Sequence, residues 1–121
     1  MNKKLLICDD DVDIVEMLEI VFEDCGVEVI SETDSKKVLA LITHLHPDLV
    51  LMDLWMPVIT GDQVLKRMRA DSGLSSIPVL IMSAAQDGRE VAMQAGADGY
   101  IAKPFDVDQL LKRVQEMIAL N

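Results

Sequence analysis

The stretch LLICDDDVDIV, residues 5–15, passes from a continuous apolar run through three successive aspartates into helical spacing. An apolar run this short, preceded by Lys3 and Lys4, marks a strand covered on both faces. Beyond the aspartates, Ile14, Val15, Leu18, Val21 and Phe22 recur at helical spacing as far as Asp24, with Glu16, Glu19 and Glu23 opposite and Gly26 as the stop. The segment therefore reads as one β–α unit. Asp9, Asp10 and Asp11 stand where the strand should end. Carboxylates this close repel, and each makes its neighbours harder to ionise unless a cation compensates. A solvated acidic turn is the alternative, and the rest of the chain decides between the two.

The same alternation continues outward. VEVISE (27–32) reads as a strand. Asp34 or Ser35 caps a helix with the stripe Val38, Leu41, Ile42 and Leu45, ended by Pro47. DLVLMD (48–53) is the most apolar strand. LWMPVITG (54–61) is a loop punctuated by Pro57 and Gly61, and a short helix with Val64, Leu65 and Met68 follows. After the loop SGLSSIP, PVLIMSA (78–84) is a fourth strand and Asp87 to Ala95 a weaker helix. GYIAK (99–103) is a short fifth strand. Asp106 caps a last helix with Leu110, Leu111, Val114, Met117 and Ile118 on its inner face. Five β–α pairs predict an α/β fold with a doubly wound parallel five-stranded sheet. The chain reads as a single domain, 1–121, with no output domain, repeat or linker.

Composition narrows the function. Half the residues are hydrophobic but only 3% are aromatic, so aliphatic residues and methionines build the core; Met52, Met68, Met82, Met93 and Met117 read as filler. The formal net charge of −10 repels nucleic acid and anionic membranes, so neither is expected as a direct partner. Cys8 and Cys25 form no CxxC or Cys/His cluster, which argues against zinc and against a disulfide framework. No apolar run approaches the length of a membrane span, and the first residues are not a signal peptide. A cytoplasmic location is expected. His44 and His46 fall near the end of the second helix, where a helix-end or surface role is expected.

In an open parallel α/β sheet, function gathers at the carboxyl ends of the strands. There the chain places Asp9 and Asp10, Asp53, Ser83 and Lys103, each directly after an apolar run. The second strand offers only Ser31 and Glu32, as an edge strand would. Asp11 reads as the start of the first helix, since acidic residues favour a first turn. Three carboxylates are hard ligands for Mg²⁺, for which Mn²⁺ can substitute. Lys103 and Ser83 can hold phosphoryl oxygens, and Asp53 is a natural nucleophile that can form an acyl phosphate.

The motifs ICDDD, LVLMDLWMP with Gly61 four residues after Pro57, IPVLIMSA and GADGYIAKPF occur in this order from Lys4 to about Leu120. In them the chain resembles the receiver domain of two-component response regulators. The resemblance implies a flavodoxin-like (βα)5 fold with strand order 2-1-3-4-5. It implies that Asp53 is the phosphoacceptor, that Asp10 binds Mg²⁺ directly and Asp9 through water, and that the Trp55 backbone carbonyl is a further ligand. It makes Ser83 and Tyr100 the switch pair and Lys103 the phosphate-binding lysine, with a cis Lys103–Pro104 bond. The implied partners are a histidine kinase or histidine phosphotransfer protein upstream and a downstream protein or output domain. Such a protein is a signalling switch rather than an enzyme, catalysing only its own Mg²⁺-dependent phosphorylation and dephosphorylation. Its reporting surface is the fourth helix, fifth strand and fifth helix. The expected state is a monomer or a weak phosphorylation-dependent dimer. Asp98 and Arg113 are suitable charges for one, but Gly99 and Gln109 stand where DNA-binding members often carry acidic residues. Bulky Trp55 and apolar Ala85 predict slow loss of the phosphoryl group. Three rivals fit less well. A flavin carrier would meet phosphate-repelling aspartates, a silent receiver-like module would not need every chemical position filled, and a metal-dependent phosphatase would need a second acid two places after Asp53.

Overall fold

The computed structural model describes residues 2–119. Five strands, β1 (Lys3–Cys8), β2 (Val27–Glu32), β3 (Leu49–Asp53), β4 (Val79–Ser83) and β5 (Gly99–Ala102), alternate with five helices, α1 (Val12–Phe22), α2 (Ser35–Leu45), α3 (Gly61–Ala70), α4 (Gly88–Ala95) and α5 (Val107–Ala119). The strands form one sheet in the order β2-β1-β3-β4-β5, with every pairing parallel. This is the expected doubly wound, flavodoxin-like architecture.

The period-2 alternation of a strand divides the core in two. Leu6, Cys8, Val50, Met52, Val79 and Ile81 face α2, α3 and α4, where Val38, Ile42, Leu65 and Met68 meet them. Leu5, Ile7, Leu49, Leu51, Leu80 and Met82 face α1 and α5, meeting Leu18, Phe22, Leu110 and Val114. Both faces of β3 and β4 are covered, so all ten of their residues are buried. The runs are therefore continuously apolar, and the first polar residue in each marks the sheet's edge.

Several boundaries differ from the sequence reading. α1 ends at Phe22 rather than Asp24, because the N–H groups of Glu23 and Cys25 turn back to Ile20 and Phe22 in three-residue steps. Gly26 lies beyond, at φ +73°. Asp34, not Ser35, caps α2. That helix stops at Leu45, with His46 left-handed ahead of Pro47, since a residue before proline is disfavoured from continuing a helix. Met93 is 49% exposed and is not core filler, because α4 buries the face of Ala92 and Ala95 instead. Leu111 and Met117 are half-buried beside the fully covered Leu110 and Val114.

Gly61 sets the distance between α3 and the end of β3. Its N–H donates to the Leu54 carbonyl at 2.7 Å, and a Cβ there would lie 2.5 Å from the Asp53 carbonyl oxygen. That neighbour is backbone and cannot swing aside. Gly61→Ala is therefore expected to destabilise the fold by about 1–3 kcal/mol, as overpacking typically does, lowering the urea midpoint without changing the slope of the transition.

Candidate functional site

The carboxyl edge of the sheet brings together the residues read from the strand ends. Lys103, one residue past β5, extends its ammonium to Asp9 Oδ2 at 2.8 Å and to Asp53 Oδ1 at 2.9 Å. Its own N–H donates to the Ser83 carbonyl at 2.8 Å, and its bond to Pro104 is cis, as expected. Asp9 is 1% exposed and Asp53 7%, whereas Asp10 is open to solvent. The second oxygen of Asp9 accepts the Asp11 N–H at 3.0 Å. Asp11 itself caps α1, accepting from Asp13 and Ile14, which confirms it as a helix starter.

Carboxylate oxygens of Asp9, Asp10 and Asp53 all lie within 4.8 Å of one another. The Lys103 ammonium pairs with two of the three, so the trio keeps an excess of negative charge. Hard oxygen donors at this spacing, two buried and one open, fit a divalent cation such as Mg²⁺. Burial raises the pKa of Asp53; the bond from Lys103 opposes this, while the Asp9 and Asp10 charges add to it. For Lys103, burial pulls the pKa down, but the bonds to Asp9 and Asp53 outweigh it and the ammonium is held above its ordinary range. It stays protonated throughout the physiological range.

Ser83, ending β4, is 1% exposed, and its Oγ accepts the Ala85 N–H at 3.0 Å. The Tyr100 hydroxyl donates to the Ser83 carbonyl at 3.1 Å. The Arg89 guanidinium lies 5.1 Å from the centre of the Tyr100 ring, within cation–π range. Gly88 opens α4 against this pair: a Cβ there would stand 2.7 Å from the Tyr100 hydroxyl and 2.8 Å from Ser83 Oγ. In this structure the Tyr100 ring is half-buried, with its hydroxyl bonded inside.

Two features escaped the sequence. Ser35, weighed only as a cap, is 4% exposed and ties α2 to the loop after Asp53. Its hydroxyl donates to the Pro57 carbonyl and accepts the Ile59 N–H at 3.3 Å. Ile59 also donates to Pro57 at 2.8 Å, closing a tight turn around Val58, which sits at φ +70° and is 76% exposed. A β-branched residue at positive φ is strained, and Ser35 helps hold it there. Asp98, suggested as a dimer charge, also bonds within the molecule, to Arg69 at 2.8 Å and to the Val79 N–H at 2.8 Å. The β2 side chains Ser31 and Glu32 turn to other partners, Glu19 and the Asp34 N–H, and β2 reaches the site only through the Glu32 carbonyl, which accepts the Asp9 N–H at 3.3 Å. His44 and His46 are exposed at the end of α2.

Flavodoxin-like folds that hold a nucleotide cradle its phosphate with hydroxyls and backbone amides. An edge that gathers acids about a lysine suits a cation and a phosphoryl group instead, and this defines the class. The family model of the response regulator receiver domain matches residues 5–115, and the chain belongs to that family, the phosphoacceptor module of two-component signalling. The DNA-binding response regulator MtrA of Mycolicibacterium paratuberculosis is 37% identical over 123 residues, covering 100% of this chain and 53% of the relative. The chain thus spans about half the length of the curated relatives it matches. Among solved structures, chemotaxis protein CheY4 of Vibrio cholerae superposes with a TM-score of 0.87 at 29% identity, covering 97% of this chain and 99% of that one. The receiver domain of a Pseudomonas aeruginosa sensor histidine kinase, solved with a magnesium ion in its active-site cleft, gives 0.89 at 26% identity, covering 98% and 99%.

The raised pKa of Asp53 has a consequence for stability. The folded state holds this proton more tightly than the unfolded chain, so stability falls as pH rises through the folded pKa. Asp53→Asn keeps an oxygen for Lys103 but removes the buried charge. The variant is expected to be more stable than the parent at neutral pH, with an advantage that shrinks as the pH falls through the raised pKa of Asp53 and is gone below the ordinary carboxylate range. Urea denaturation across pH measures it.

Proposed function

We propose that Asp53 is the phosphoacceptor of this receiver. The observation that carries the reading is the single ammonium of Lys103 shared between Asp9 and Asp53, with Asp10 alongside. Lys103 fixes one oxygen of Asp53, and the other attacks the phosphorus of a phosphohistidine presented by a histidine kinase or histidine phosphotransfer protein. The O–P bond forms as the P–N bond breaks, and the imidazole leaves with the electron pair. Lys103 then pairs with a phosphoryl oxygen. In its bond with Ala85 the Ser83 hydroxyl is the acceptor, so its proton can be donated to another phosphoryl oxygen. Asp9, Asp10, Asp53 and the Trp55 carbonyl would hold Mg²⁺, or Mn²⁺ in its place, which when bound neutralises charge on the transferring group.

Capture of Ser83 by the phosphoryl group pulls on the loop leading to Gly88. Tyr100 and α4 both rest on Ser83, so the surface formed by α4, β5 and α5 reports the change to a downstream protein or output domain. Since Tyr100 is already inward, phosphorylation biases an existing equilibrium rather than creating a new state. The protein acts as a switch whose only chemistry is its own phosphorylation and dephosphorylation. Among the described residues no helix is long and apolar enough to cross a membrane. A cytoplasmic setting suits this role and the two free cysteines, of which buried Cys8 has its pKa driven up by burial and by the nearby Glu32 and Asp9 charges.

Intact mass after incubation with acetyl phosphate and Mg²⁺ tests the acceptor. One phosphoryl group is expected on the parent and none on Asp53→Asn; equal labelling of both would refute the assignment. Trp55, 48% exposed two residues after Asp53, and Ala85, which brings no polar side chain, leave attacking water poorly placed. The phosphoryl group is therefore expected to persist for minutes or longer after donor removal and to be lost faster in Trp55→Ala. Decay within seconds in the parent would contradict this.

A further inference from the structure

Charge is segregated across the sheet. α1 carries Asp13, Glu16 and Glu19, with Glu23 just beyond it, and no basic residue. On the opposite face, α2 holds Lys36, Lys37 and His44 without a carboxylate, and α3 sets Lys66, Arg67 and Arg69 against Asp62 alone. A chain of net charge −10 therefore carries a locally cationic strip on α2 and α3, between the capping Asp34 and Asp71.

Lys36, Lys66 and Arg67 meet along a groove between α2 and α3. Its main hollow, about 800 Å³, has Lys36 and Arg67 above a floor of Leu39 and Ile59. Ile59 and Arg67 also line an adjoining hollow of about 390 Å³ with Val58 and Lys66. Among the described residues no carboxylate lines either hollow; Asp62 stands 4.0 Å from Lys66. The opposite face has the complementary form. There Ile20, 70% exposed, stands among Glu16, Glu19 and Glu23, and Glu19 also accepts the Ser31 hydroxyl.

We propose that this groove docks the α1 face of a second copy of the chain, with Ile20 against the apolar floor and the α1 carboxylates against Lys36, Lys66 and Arg67. Each face supplies what the other lacks: an exposed isoleucine meets an apolar floor, and a row of α1 carboxylates meets a cluster of cations of which only Lys66 has an acidic neighbour. Salt screens charges more than about 8–10 Å apart, so local attraction outweighs the repulsion between two acidic molecules. The two surfaces differ and lie on opposite faces, so the contact is head-to-tail and continues as short chains instead of closing as a two-fold dimer. The proposal does not depend on which residue accepts phosphate.

Sedimentation equilibrium of the full chain near physiological ionic strength tests it, over about 10 µM to 1 mM, the range of a weak contact. The average mass is expected to climb with concentration and to pass that of a dimer. The double variants Lys66→Glu/Arg67→Glu and Glu16→Lys/Glu19→Lys should each remain monomeric, because each meets its own like charge. An equal mixture of the two should associate again, which also shows that both are folded. A parent that stays monomeric throughout, a closed dimer indifferent to these substitutions, or a mixture that stays monomeric would overturn the proposal.

Discussion

The structure turns on one ammonium group. Lys103 reaches back from the end of β5 to bind Asp9 at the end of β1 and Asp53 at the end of β3. Breaking a buried pair by removing one partner leaves an uncompensated charge and is strongly destabilising. Asp9, at 1% exposed, is in that position. Most of what surrounds the ammonium serves to deliver it. The continuous apolar runs bury both faces of the central strands, the parallel register puts their carboxyl ends together, and the bond from the Lys103 N–H to Ser83 fixes where the side chain begins.

The same constraint makes the site chemically unfinished. Lys103 pairs with Asp9 and Asp53 while Asp10 lies beside them, so negative charge remains to be neutralised. A second cation would relieve the trio, and an incoming phosphoryl group would draw Lys103 toward its own oxygens. The opening question of three consecutive aspartates has a divided answer: Asp9 and Asp10 face the site, while Asp11 caps α1. Next door, Ser83 and Tyr100 leave no room for a side chain at Gly88, so α4 begins directly against them.

The strand ends were legible because burial on both faces forces an unbroken apolar run, so the first polar residue stands out. Asp53, Ser83 and Lys103 were found in that way. Asp10 stood out beside Asp9 in the same way, whereas the roles of Trp55 and Tyr100 came from the family resemblance, since nothing in their spacing distinguishes them. What stayed hidden depends on partners distant in sequence. Ser35 looks like any cap residue until Pro57, 22 positions on, is seen to accept its hydroxyl. Asp98 looks like a lone surface charge until Arg69, 29 positions away, is seen to pair with it. The inward setting of Tyr100 is a choice between side-chain conformations, which pattern alone cannot express.

Titration of the protein with Mg²⁺, followed through the fluorescence of Trp55, its one tryptophan, tests the central claim most directly. Saturable one-site binding is expected, at least tenfold weaker in Asp10→Asn, because the aspartates converge to hold a cation. No binding, or binding indifferent to Asp10, would mean that Lys103 alone satisfies the trio and that the acidic edge is not a metal site.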